Sequence, residues 1–63
     1  MTSYGITFKQ LRENKKLNKI AVSQGIIPLD LLIEFEKNKV NISFSLLLEL
    51  LERISVSMNE FLL

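Results

Sequence analysis

The sequence contains no cysteine, no histidine and no tryptophan. Without cysteine there is no disulfide framework, and nothing indicates an oxidising compartment. Without histidine and cysteine, the usual zinc ligands and the usual nucleophile–base pairs are missing. The remaining carboxylates Asp30, Glu34 and Glu36 do not have the spacing of a calcium-binding loop. We therefore expect that this chain is not an enzyme and carries no metal and no cofactor.

Long apolar runs are missing as well. The longest apolar stretch, residues 42–51, is interrupted by Ser43, Ser45 and Glu49 and is shorter than the roughly 20 residues that span a bilayer. The first five residues have no charged segment that leads into an apolar run, so they do not form a signal peptide. The sequence predicts a cytoplasmic protein without a membrane partner.

The 63 residues are enough for one small domain, residues 1–63. Apolar residue types make up 48% of them, a high fraction for a chain that can form only a small core. This excess predicts contact with a partner, a second copy or an adjoining domain.

The formal net charge is only +1, but the charges are unevenly distributed. Residues 1–19 hold five basic side chains and one acidic one, whereas residues 28–36 hold three acids and no base. A basic first third is typical of a surface that faces phosphates, and equally of a solvated amphipathic helix. Charge alone favours the second interpretation slightly.

The pattern of caps predicts an all-α bundle of four to five short helices. Thr7 with Gln10, and Ser57 with Glu60, fit capping boxes, while Asn18 and Ser43 suit N-caps.

Gly25 is predicted to end the second helix, Lys19 to Gln24. Pro28 suits the first position of a third helix that runs to about Lys37. A helix, a tight turn and a second helix over residues 18–37 indicate a helix-turn-helix.

Six segments in order resemble the N-terminal domain of Rgg/GadR/MutR-type regulators, which belong to the larger XRE-type group resembling phage lambda repressors. These segments are Ile6–Arg12, Leu17–Lys19, Gly25–Ile27, Phe35–Asn38, Asn41–Ser43 and Val56–Phe61. The resemblance covers nearly the whole chain. It implies a compact five-helix domain that binds double-stranded DNA and regulates transcription as a homodimer. In Rgg-type proteins a helical-repeat domain that binds a signalling peptide follows; since this sequence ends at Leu63, we expect either an excised DNA-binding domain or a stand-alone relative.

The resemblance also implies which residues face DNA. The positions that meet base edges in the major groove hold Pro28, Leu29, Asp30, Ile33 and Glu34. The family usually carries Ser, Gln, Arg or Thr in the first turn of this helix and often Lys at the position of Glu34. In this sequence two aliphatic and two acidic side chains occupy these positions. Leu29 and Ile33 can therefore contact only the methyl groups of thymine, and the two acids can accept a hydrogen bond from N4 of cytosine.

Other matching positions are implied to have positioning and structural roles. Contacts to phosphates fix the register of a protein on DNA without reading its sequence. The resemblance implies such contacts for Lys15, Lys16, Lys19, Lys37 and Lys39. Any one of these lysines taken alone is more often an ordinary solvated side chain. Arg12 and Glu36 correspond to the ion pair that ties the first helix to the third in lambda-type domains.

Six apolar residues are left over after the core-facing positions are filled, and the sequence predicts that a core of this size does not bury all of them: Leu29, Leu31, Ile33, Leu48, Leu62 and Leu63. Exposed apolar surface usually marks an interaction site. The alternative hypothesis is therefore a helix-turn-helix that has lost base readout and uses Leu29, Leu31 and Ile33 to self-associate or to pair with a full-length regulator. A third reading, a membrane-active cationic peptide, is opposed by the low net charge.

Overall fold

A computed structural model describes residues 4–62 and contains five helices. They are α1 (Tyr4–Asn14), α2 (Lys19–Ser23), α3 (Leu29–Glu36), α4 (Phe44–Arg53) and α5 (Met58–Leu62). No strand occurs within this range. The predicted all-α, five-helix fold is confirmed. None of the five helices has the length and apolar character needed to cross a membrane.

Three of the predicted N-caps are confirmed by their hydrogen bonds. The Asn18 side chain accepts from the amide of Ala21 over 2.8 Å, at the start of α2. Ser43 Oγ accepts from the amide of Leu46 over 3.3 Å, and Ser57 Oγ accepts from the amide of Glu60 over 3.2 Å. Each cap satisfies an amide that has no partner inside its own helix.

Two predicted helix starts are wrong. Thr7 does not begin α1, which is already helical at Tyr4. The earlier turn is stabilised by packing, because the Tyr4 ring lies 5.7 Å from the ring of Phe61 in α5. Pro28 is the N-cap of α3 rather than its first residue, since its ψ of 147° is extended.

Left-handed residues end three of the helices: Lys16 after α1, Asn38 after α3 and Ser55 after α4. At Ser55, with φ of 60°, the amide of Val56 donates to Leu51 over 2.9 Å and the amide of Ser55 donates to Glu52 over 3.0 Å. This pair of bonds is a Schellman motif, which usually carries glycine at the left-handed position. The chain therefore ends these helices sharply without glycine.

The core lies between all five helices, with Phe8, Leu32, Leu50, Leu51 and Ile54 almost fully buried. α1 packs on α3 and α5, and α2 packs on α3 and α4. α1 and α3 cross very closely at Gly5, where a Cβ atom would overlap the carbonyl group of Phe35. Only glycine permits this approach, and it fixes how α3 lies against the rest of the domain.

The apolar residues predicted to be left over have different fates. Leu48 and Leu62 are exposed, and Leu63 lies outside the described residues. Leu29, Leu31 and Ile33 are all half-buried, and of these three Leu31 is the one that packs against the core. The helical period explains this, because Leu31 precedes the core residue Phe35 by four positions and so shares its face.

Candidate nucleic-acid interface

α2, the following turn and α3 form the helix-turn-helix, and local hydrogen bonds determine the turn. Gly25 adopts φ of +82°, which allows the chain to leave α2 sharply. The amides of Ile26 and Ile27 then both donate to the carbonyl oxygen of Ser23, over 2.9 and 3.0 Å. The Ile27 side chain is buried. The turn is therefore held by its backbone bonds and by an apolar anchor.

Arg53, in the last turn of α4, holds the same turn from outside. Its Nη1 donates to the carbonyl oxygens of Ala21 over 2.8 Å and of Gln24 over 3.0 Å. Carbonyls at the end of a helix have no partners inside it, so a guanidinium there satisfies them and faces the negative end of the helix dipole. Sequence reasoning did not find this role, because nothing local in the sequence links Arg53 to α2.

Arg12 connects three parts of the domain. Its Nε donates to Glu36 Oε2 over 2.7 Å and its Nη2 donates to Glu36 Oε1 over 2.9 Å, while Nη1 donates to the carbonyl oxygen of Leu17 over 2.8 Å. Both charged residues are buried, at 5% and 4% exposure. The hydrogen bond with Glu36 raises the pKa of Arg12 above its ordinary value, against the opposing effect of burial. This contact positions the entrance of α2 relative to the end of α3.

The residues predicted to meet base edges lie at the N-terminal half of α3 and differ in exposure. Pro28 and Asp30 are exposed, whereas Leu29, Ile33 and Glu34 are half-buried. Leu29 and Ile33 are four positions apart and share a side of the helix. Neither of them belongs to the apolar residues that pack against the core. The outer side of α3 is therefore apolar and acidic, as the sequence indicates.

Glu34 turns one carboxylate oxygen inward. Its Oε2 is shielded from solvent and accepts no hydrogen bond from any group in the part of the chain that the structure describes. A buried acceptor without a donor is costly. Of the three acids on this helix, Asp30 is the exposed one.

The predicted phosphate-contacting lysines lie at two ends of the motif. Lys19 is the half-buried first residue of α2. Lys37, the C-cap of α3, and Lys39 are exposed at the other end of the motif. These three lysines flank α3 in the chain, so their charge brackets the acidic segment between them.

Lys15 and Lys16 lie in the turn after α1, and both are exposed. Lys16 adopts φ of 59°. The Lys15 ammonium lies 3.4 Å from the carbonyl oxygen of Ser55, beside the turn between α4 and α5. Part of its donor capacity is thus used within the domain.

A groove of about 420 Å³ lies between α1 and α5, away from α2 and α3. Its lining is mixed, with Tyr4 and Leu62 beside Gln10, Asn14 and Glu60. None of the residues predicted to contact DNA contributes to it.

The geometry defines the class of domain, an all-α helix-turn-helix domain. The chain is similar to a crystal structure from Listeria monocytogenes of a protein described, provisionally, as a transcriptional regulator. The two are 42% identical with a TM-score of 0.91, and the match covers 95% of this chain and 20% of that protein. The chain thus spans about one fifth of the length of the protein that it resembles. No protein-family model matches the sequence, and comparison with curated proteins gives no match.

Proposed function

We propose that this chain is the DNA-binding domain of a transcriptional regulator and acts on chromosomal DNA in the cytoplasm. The observation that carries the proposal is the helix-turn-helix, held by Arg12, Arg53 and Gly25 in a defined geometry and bracketed by three lysines. The similarity to a much longer protein described as a transcriptional regulator supports it.

α3 is the recognition helix of the proposed complex. Its N-terminal half enters the major groove, and Lys19, Lys37 and Lys39 contact phosphates on either side, with Lys15 and Lys16 adding to the basic surface. Phosphate contacts supply affinity and register, whereas base contacts supply specificity. Because α3 itself carries Asp30 and Glu34, the affinity depends on the lysines outside it.

The resemblance of the sequence segments further supports assignment to the Rgg/GadR/MutR type and function as a homodimer. Helix-turn-helix dimers bind two half-sites about one helical turn apart. Sedimentation equilibrium with and without labelled duplex DNA tests this assignment. We expect a dimer on the DNA; one domain per duplex at saturation would contradict dimeric binding.

The dependence of DNA affinity on salt tests the proposed function itself. Each lysine that neutralises a phosphate contributes roughly one unit to the slope of log K against log salt concentration. The triple variant Lys19→Gln, Lys37→Gln, Lys39→Gln is therefore expected to lower the magnitude of this slope by about 3. The matched control is Lys9→Gln, an exposed lysine of α1 outside the motif, with little expected change. Absence of duplex binding at low salt would refute the proposal.

A second candidate function rests on the apolar character of α3. Leu29 and Ile33 lie outside the packed core, and Ile20 of the preceding helix is 64% exposed. In this reading the helix-turn-helix self-associates or pairs with a full-length regulator of the same family. Replacing Leu29 and Ile33 by lysine would then dissociate the oligomer. An unchanged oligomeric state in that variant would eliminate this candidate.

A further inference from the structure

The recognition helix has no side chain that donates a hydrogen bond. From Pro28 to Glu36 the sequence holds apolar residues and the three acids Asp30, Glu34 and Glu36. The carboxylate of Glu36 is buried, and both of its oxygens accept hydrogen bonds from Arg12. Guanine presents only acceptors, O6 and N7, in the major groove, so it requires a donor such as arginine or lysine. Within α3, no side chain supplies one.

The remaining readout on this helix is apolar. Leu29 and Ile33 share one side of α3, are half-buried, and are not among the residues packed against the core. Leu31 differs from them, since its half-buried side chain packs against the core. In the major groove, the apolar feature that distinguishes one base from another is the methyl group at C5 of thymine.

We propose, resting on the DNA-binding function above, that Leu29 and Ile33 recognise the 5-methyl groups of pyrimidines in the major groove. Thymine carries this group in ordinary DNA, and 5-methylcytosine presents the same chemistry. Asp30 contributes discrimination, because its carboxylate accepts from an exocyclic amino group and repels the acceptors of guanine. Specificity then arises from methyl contacts, while Lys19, Lys37 and Lys39 hold the helix against the backbone.

Binding to four alternating copolymers tests this inference. The first pair is poly(dA-dT) and poly(dA-dU), which differ only in the 5-methyl group. Burial of one methyl group changes affinity by about fourfold, so the native chain is expected to bind poly(dA-dT) at least ~4-fold more tightly. The second pair, poly(dG-dC) with and without 5-methylcytosine, makes the same comparison and separates the two sources of the methyl group.

Two variants show where any preference originates. In the double variant Leu29→Ala, Ile33→Ala, the lysines remain, and the ratio of affinities for methylated and unmethylated polymer is expected to fall to about one. A preference caused by the DNA structure itself would instead persist in this variant. The matched control is Leu48→Ala, at an exposed leucine of α4, which should keep the full preference. Circular dichroism verifies that each variant is folded, and the comparison within the native chain requires no variant.

The outcomes separate this inference from the function on which it rests. Tighter binding to the methylated polymer in either pair, lost in the Leu29 and Ile33 variant, supports methyl recognition and identifies its source. Equal binding in both pairs, or a preference that survives the variant, overturns the inference while leaving DNA binding intact. Failure to bind all four polymers at low salt overturns the proposed function itself.

Discussion

The guanidinium of Arg12 and the carboxylate of Glu36 form a two-bond ion pair buried between α1 and α3, with N–O distances of 2.7 and 2.9 Å. Breaking a buried pair by removing one partner leaves an uncompensated charge, at a cost of about 3–5 kcal/mol. Arg12→Met and Glu36→Leu are each expected to destabilise the domain by that amount in urea unfolding.

The double variant Arg12→Met, Glu36→Leu should lose much less unfolding free energy than the sum of the two single losses, because replacement of a whole buried pair by apolar side chains is often neutral. A double-mutant cycle measures this coupling. Strictly additive losses would contradict the account of Arg12 and Glu36 as one unit.

Gly5 is expected to tolerate no side chain. Within a helix, glycine to alanine ordinarily stabilises by up to about 1 kcal/mol. Here the added Cβ would overlap the carbonyl of Phe35, so Gly5→Ala should instead destabilise by about 1–3 kcal/mol. Thermal unfolding measures the sign directly.

Gly25→Ala is the matched control for Gly5. Its Cβ would meet no neighbouring atom within 4 Å, so the only penalty is the positive φ of +82°. We expect a loss of about 1 kcal/mol from this backbone conformation. A stabilised Gly5→Ala variant would show that α1 and α3 cross less closely than described.

Arg53 is expected to position the turn of the helix-turn-helix. Arg53→Met removes the donors to Ala21 and Gln24 and should cost about 1 kcal/mol, since the site is exposed. Hydrogen exchange at the amides of Ile26 and Ile27 should become faster. Glu52→Gln, an exposed neighbour, is the control, and equal exchange in both variants would count against this role.

Ser55 offers a stabilising substitution. Its φ of 60° costs roughly 1 kcal/mol in a residue with a Cβ, so Ser55→Gly should raise the unfolding free energy by several tenths of a kcal/mol or more. Ser45→Gly, inside α4, should lower it by contrast. A gain at both positions, or at neither, would argue against the left-handed cap.

Most of the fold follows from local signals in the sequence. Asn18, Ser43 and Ser57 cap α2, α4 and α5 because short polar side chains satisfy the first free amides of a helix. The start of α1 could not be predicted in this way. It depends on Tyr4 meeting Phe61, a contact between opposite ends of the chain.

The candidate site was only partly accessible from sequence. The apolar and acidic character of α3 follows from its amino-acid composition, so the sequence alone predicts it. The inward orientation of Leu31 and the two hydrogen bonds of Arg53 depend on tertiary packing. The phosphate contacts of the lysines follow from resemblance alone, and they stay predictions.

Chemical-shift mapping on the labelled domain, titrated with a short alternating A·T duplex, tests the central claim most directly. If α3 enters the major groove, the largest amide shifts should lie in residues 18–39, strongest around Leu29 and Asp30. The groove between α1 and α5 should stay unperturbed. Shifts confined to α4 and α5, or none at low salt, would contradict the account.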